Sequence, residues 1–473
     1  MTGVIMQRLI GLAIATFAFS SLSGTPAVAT TSESAATSSE WTDSGFDQGR
    51  RRGTPIDVAA LLTAAKGAPP MLCSLAADAI RNGGWGGWSD APSTPLASAR
   101  PASQDDYYDP QMPAADIQRL LAGLSSDDAC VRELSIRLIG TQKAEAVGSE
   151  LITRLGSSDA ALRSVAALGL GLVESQAALD PLIRALRDAS VDVRANSAWA
   201  LGRIENGRAL NPLAGLFSDD AEKVRLAAVA AVGHMESTST LPALIRVVRQ
   251  DNSPAVRRVA AWALGNLEAR EAVVTLTEVL GRDSDARVRE MSAWALGNIE
   301  DKRAVPALGA AARNDAEDRV RETAVWALGN LEDRSTLDIL AAATGDRNAN
   351  VRGTAAWAIG QMDEHTKAPA GLLRLLSDES AETRLKAAWA LGQIEDPAAL
   401  PAVRDALKVE KNDRVRRGLI RALMKSGESS ETTLTQLLSS EDPQIREAAV
   451  RGIAGARSFD PWPWPMPRPR PFP

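Results

Sequence analysis

The segment Trp-Ala-Leu-Gly-Asn occurs three times at 32-residue steps, at Trp262–Asn266, Trp294–Asn298 and Trp326–Asn330. Relatives of it run through most of the chain. Alignment on the arginine eight residues before each glycine places arginines at Arg132, Arg163, Arg194, Arg225, Arg257, Arg289, Arg321, Arg352, Arg384, Arg416 and Arg446, in steps of 30 to 32 residues. A period of this length marks stacked supersecondary units, each too small to bury its own apolar face.

Within one unit, Ala272–Leu280 is an apolar-periodic first helix, Gly281–Asp285 a turn, and Arg287–Ile299 a second helix. Four residues before the aligned arginine stand Asp128, Asp159, Ser190, Ser253, Asp285, Asn348, Ser380, Asn412 and Asp442, side chains that cap a helix by accepting from its free N–H groups. Pro181, Pro212, Pro242, Pro306 and Pro401 sit near the starts of first helices, where a missing N–H costs nothing. On the second helix, Val256, Ala260, Ala263 and Leu267 form the stripe that meets the first. A glycine such as Gly265 costs a helix about 1 kcal/mol relative to alanine. Its recurrence at nine of the eleven units, from Gly140 to Gly392, predicts that a neighbouring helix approaches the backbone there.

These units, for example Val256–Glu268 followed by Ala269–Leu280, resemble the HEAT-like repeat of phycobilin lyase subunits and many bacterial scaffold proteins. The resemblance implies an all-α fold, a right-handed α-solenoid of about eleven stacked helical hairpins with second helices lining the concave side. The repeat serves many unrelated tasks, and the absence of a catalytic cluster from the sequence is what favours a protein- or peptide-binding concave face. An enzyme or enzyme-maturation subunit of the phycobilin-lyase kind is the alternative; those complexes act in the cytoplasm, which the export signal described below opposes. Deoxyhypusine hydroxylase has similar repeats and binds iron through paired His-Glu motifs. Here the only histidines are His234 and His365, neither within such a motif. Neither a catalytic nor a metal cluster is expected, nor a cofactor.

The N-terminus reads as a signal peptide over residues 1–29: Arg8, an apolar run from Leu9 to Leu22, then Ala27-Val28-Ala29. That run is shorter than the roughly 20 residues a bilayer span needs, so the chain is expected to be exported, to a periplasm or the exterior, with no span in the mature protein. Residues 30–55 read as a disordered leader, 56–81 as a degenerate capping hairpin, 82–113 as a Gly/Trp/Pro/Ser linker, 114–457 as the solenoid and 458–473 as a Pro/Trp/Arg-rich extended tail. A net charge of −6 with evenly spread lysines and arginines disfavours nucleic acid as a partner.

Trp199, Trp262, Trp294, Trp326, Trp357 and Trp389 stand at one position of six units. They either pack between repeats or lie partly open as a strip for peptides or sugars; a carbohydrate-binding scaffold is thus a third reading. Beside them, Asn266, Asn298, Asn330, Gln361 and Gln393 form an amide ladder, suited to the same strip or to hydrogen bonds between repeats. Glu174, Glu205, Glu236, Glu268, Glu300, Glu332, Asp363 and Glu395, eleven residues after eight of the arginines, are expected to pair with them from unit to unit. Cys73 and Cys130, the only cysteines, are either a candidate disulfide in an exported chain or two free buried thiols. In the tail, Trp462, Trp464 and Phe472 ride on a stiff proline-rich backbone that is either a ligand for a groove, its own or that of a partner such as a second copy, or a disordered end.

Overall fold

A computed structural model of the chain describes residues 57–69, 112–140, 142, 145–362, 367–427, 431–441 and 443–453. Eleven helical hairpins follow one another, from Ala114–Gly123 with Ala129–Ile139 to Glu431–Leu438 with Pro443–Ile453. Among the described residues there is no strand. One apolar core runs from Val58 to Leu423 without interruption, as expected of an all-α solenoid in which neighbours bury each other's faces.

The capping residues behave as their chemistry demands. Asp285 accepts from the N–H groups of Arg287 and Val288, at 2.9 and 3.1 Å. Asp128, Asp159, Ser253, Asn348, Ser380 and Asn412 act in the same way. Ser190 holds the cap position without a side-chain bond, and Asp442 lies outside the described residues. Most first helices are entered through a three-residue 3-10 turn, such as Arg270–Ala272 before Val273–Arg282.

Successive second helices pack directly on one another. The repeated glycine permits this: a β-carbon on Gly265 would stand 2.8 Å from the Cα of Ala295 and 2.9 Å from Cζ3 of Trp294, both in the next hairpin. A contact of that kind with backbone cannot be relieved by a side-chain rotation, so only glycine lets the helices close to this distance. Where the next hairpin has Ala230 in place of tryptophan, the space at Gly202 is filled by Ala231 alone.

The aligned arginines join the hairpins along another edge, but not to the acids eleven residues on. Arg289 forks from Nε and Nη2 onto Asp315 of the next turn, at 2.8 and 2.9 Å, while its Nη1 donates to the Asp283 and Ser284 carbonyls of its own turn. The same geometry recurs from Arg163–Asp188 to Arg384–Glu410. The carbonyls and the forked carboxylate answer the unfavourable placing of a cation in a helix's first turn. Each acid also closes its own turn, Asp188 accepting from the Ser190 N–H at 2.8 Å. The Arg163 hydrogen bond holds the Asp188 carboxyl below its usual range although burial opposes it.

At the N-terminal end, the helix Val58–Ala65 covers the first hairpin. Ala65 packs with Cys130, Val131 and Leu134, and the Gly67 N–H donates to Asp128 at 2.7 Å. Cys130 is disulfide-bonded, and Cys73 lies outside the described residues.

Candidate binding edge

The six tryptophans do not form an open strip. Each is between 1% and 8% exposed. Their rings lie over the glycines of the preceding hairpins: Trp199 on Gly171, Trp262 on Gly233, Trp294 on Gly265, Trp326 on Gly297, Trp357 on Gly329 and Trp389 on Gly360. Tryptophan here is inter-repeat filling, and the sugar-stacking reading loses the aromatic faces it needed.

The amide ladder is more open. Asn266 and Gln361 are exposed, while Asn298, Asn330 and Gln393 are half-buried. Gln393 accepts from Lys425 Nζ at 2.7 Å. His234 occupies the same column and lies against Trp262, ring centroids 4.7 Å apart. Its imidazole pKa is pushed down to about 3, first by burial and then by the nearby Arg203 guanidinium.

Of the acids expected to bind the arginines, Asp363 lies outside the described residues, and the other seven stand instead just past the second helices, beside the amides. Glu174, Glu205, Glu236, Glu268, Glu300, Glu332 and Glu395 all adopt left-handed backbone, with φ between 44 and 55°. That conformation normally favours glycine or asparagine, and an acid at a helix C-terminus also meets the negative end of the dipole. The column is therefore unfavourable on two local counts, and a third appears between units. The Glu300 carboxyl is pushed up by burial, then by the like charges of Glu332 and Glu268, with Arg270 opposing.

In register with each acid stands the residue nine positions after the aligned arginine of the next hairpin. At the two ends of the row that residue is basic: Arg203 pairs with Glu174, and Lys425 stands 3.5 Å from Glu395. In the middle it is His234, Asn266, Asn298, Asn330 or Gln361. Glu205, Glu236, Glu268, Glu300 and Glu332 are exposed and, among the described residues, hold no ion pair. Five carboxylates in four steps of about 10 Å make an acidic edge on the order of 40 Å long.

Sequence reasoning found the amides and the acids but assigned the acids the wrong partner. The signal for the true partner is present: an acid stands six residues before eight successive arginines, from Asp188 to Glu410. Among the described residues no helix is long and apolar enough to cross a membrane, and no group of three or more His, Cys, Asp or Glu side chains is placed to hold a metal ion. His365, Trp462, Trp464, Phe472 and the segments read as signal peptide, leader, linker and tail lie outside the described residues, Met112 and Pro113 at the linker's end excepted.

A sequence model of HEAT repeats matches the chain in overlapping windows, 117–194, 148–233, 179–254, 241–329, 305–373, 339–424 and 368–454. The chain belongs to the HEAT-repeat family. No curated protein matches this HEAT-repeat chain in sequence. Among solved structures it is similar to Kap95p, a protein that binds RanGDP, with 15% identity and a TM-score of 0.51 over 72% of this chain and 55% of that one. It thus spans about half the length of that relative. An engineered protein shares 18% identity, TM-score 0.38, over 72% of this chain and 99% of its own. Human deoxyhypusine hydroxylase shares 22%, TM-score 0.25, over 52% of this chain and 96% of its own. At such identities the likeness is one of fold. A HEAT-repeat solenoid fits a protein-binding scaffold.

Proposed function

We propose that this protein is an exported, non-enzymatic scaffold that holds an extended, cationic stretch of a partner protein along the Glu205–Glu332 edge. The observation that carries the reading is the row of five exposed glutamates, one per hairpin, each in left-handed backbone and in no ion pair among the described residues. Stability would be better served by glycine at every one of these positions. Local features that oppose stability, repeated in register on a rigid scaffold, point to work done with a partner.

The chemistry supports a basic segment. Arginine or lysine side chains would meet a carboxylate at each repeat, while Asn266, Asn298, Asn330 and Gln361 offer amide donors and acceptors to the partner's backbone. An edge of about 40 Å accommodates roughly 12 extended residues. Because the hairpins are already packed, the scaffold loses little freedom on binding, and only the ligand is ordered. The N-terminal signal supports export.

The test uses a fluorescent dodecapeptide alternating arginine with alanine. Binding should weaken with added salt, and Glu268→Lys/Glu300→Lys/Glu332→Lys should weaken it by about tenfold or more, close to 1.4 kcal/mol. Equal affinity of the two proteins at low salt would refute the assignment of the edge.

A further inference from the structure

The last described hairpin, Glu431–Leu438 with Pro443–Ile453, presents the face with which each earlier hairpin receives its successor. Four residues after the aligned arginine, from Ile136 and Ala167 to Ala388 and Ile420, the side chain is 0% exposed in all ten preceding hairpins. Its counterpart Val450 is 54% exposed. Eight residues before the arginine, Leu155, Leu186 and Leu376 are 8%, 3% and 6% exposed, whereas Leu438 is 42% exposed. Arg446 still donates from Nη1 to the Ser440 and Glu441 carbonyls of its own turn. The Nε–Nη2 edge, which from Arg163 to Arg384 grips a carboxylate of the next hairpin, holds none among the described residues. The opposite end of the array differs, because Val58–Ala65 covers it.

We propose that residues 454–473 of this same chain cover this face in place of a twelfth hairpin. They continue directly from Ile453, so no partner has to be recruited. They carry Phe459, Trp462, Trp464, Met466 and Phe472, apolar groups of a size to bury Val450 and Leu438. Asp460 is the one acid in residues 448–473, and Arg446 holds no carboxylate among the described residues. The reach is sufficient: Asp460 follows Ile453 by seven residues, up to about 23 Å of extended chain. Arg446 precedes it by the same number, about 10 Å of helix. Proline at every odd position from 461 to 473 keeps the remainder extended and removes N–H donors, so the cover presents no strand edge to another molecule. An open solenoid end otherwise invites stacking of a further copy, which is why terminal units carry polar outer faces.

The experiment places a thiol on the face. Val450→Cys is made in the full chain, where no described cysteine is free, and its labelling by a maleimide is timed with and without Phe459→Ala/Trp462→Ala/Trp464→Ala. Labelling should be about tenfold or more slower with the aromatics present, at a rate independent of protein concentration. In the chain without the added thiol, the aromatic replacements should accelerate hydrogen exchange in residues 445–453 by a comparable factor. Equal labelling rates, or unchanged exchange, would overturn the proposal. Protection that appears only as concentration rises would overturn it as well, in favour of a second copy on the face.

Discussion

Trp294 lies on Gly265 of the preceding hairpin, its Cζ3 2.9 Å from the point that a β-carbon on that glycine would occupy. This pairing sets the distance between hairpins and gives opposite signs to two glycine substitutions. Gly265→Ala should destabilise the protein by about 1–3 kcal/mol, because the added methyl meets backbone that cannot yield. Gly281 lies in the first helix Val273–Arg282 with nothing within 4 Å of its β-position. Gly281→Ala should therefore stabilise, by up to about 1 kcal/mol through helix propensity. Urea midpoints of the two variants decide the matter; a Gly265→Ala variant as stable as the parent would mean that the hairpins are not in this contact.

Arg289 and Asp315 should be coupled, and Arg289 and Glu300 should not. Both members of the first pair are largely buried and joined by two hydrogen bonds. Arg289→Ala takes two hydrogen bonds from that carboxylate, which keeps only the Glu317 N–H, and leaves two turn carbonyls without the guanidinium, at a cost of about 1–3 kcal/mol. A double-mutant cycle with Asp315→Ala should return a coupling of more than about 0.5 kcal/mol, and a cycle with Glu300→Ala should return close to zero. Thermal unfolding in both cycles tests this. Coupling to Glu300 rather than Asp315 would restore the pairing first read from the sequence.

The period, the helix pairs and most caps were legible before any coordinates, because each rests on local chemistry: Asp285 caps by reaching two or three residues, and Gly265 signals its own cost to a helix. What required the structure was inter-unit register. Trp294 flanks its helix's apolar stripe, but whether that flank faces solvent or a neighbour depends on how closely the neighbour approaches, and Gly265 decides that from another unit. Arg289 likewise has acids both eleven and twenty-six residues on, Glu300 and Asp315, and only the path of the intervening helix Val305–Asn314's unit shows which one comes within reach. The left-handed backbone at Glu300 was hidden because the residue type argues against it.

Cys130 is already bonded, and Cys73 is expected to be its partner, since the chain contains no third cysteine. In the chain-entropy view, closing that long loop stabilises the docked N-terminal segment by roughly 4 kcal/mol. Mass spectrometry of non-reduced peptides should recover the Cys73–Cys130 pair from the protein purified without reductant. Recovery of intermolecular dimers linked through Cys130 would reject it.

Glu300→Gly should separate stability from binding. Glycine removes the strain of a φ of 53° and the repulsion from Glu268 and Glu332. A gain of about 1 kcal/mol is expected from the backbone alone. The same change takes the central carboxylate from the acidic edge, so affinity for the arginine-alanine peptide should fall by about threefold to tenfold. Paired measurements of unfolding midpoint and peptide affinity test both halves. A variant that is less stable would show that Glu300 serves the fold itself.

His234 gives the fold one titration that can be isolated. Burial and Arg203 lower its pKa from the ordinary 6.5 to about 3. Between those values the unfolded chain binds a proton that the folded chain refuses, so stability falls as pH drops from 6.5 towards 3 and gains nothing from this group above 6.5. One proton corresponds to a slope of at most about 1.4 kcal/mol per pH unit, and solvent at this partly open edge reduces it. His234→Asn places in the column the residue that Asn266 already supplies one hairpin later. The carboxylates titrate alike in both proteins and cancel in the difference. Stability of the parent minus that of His234→Asn should therefore be level from about pH 7 to 9 and decline steadily from about pH 6.5 to 4.5. Urea unfolding at intervals of half a pH unit measures it, and a difference that stays level through the acid range would mean that the imidazole is solvated rather than held against Trp262.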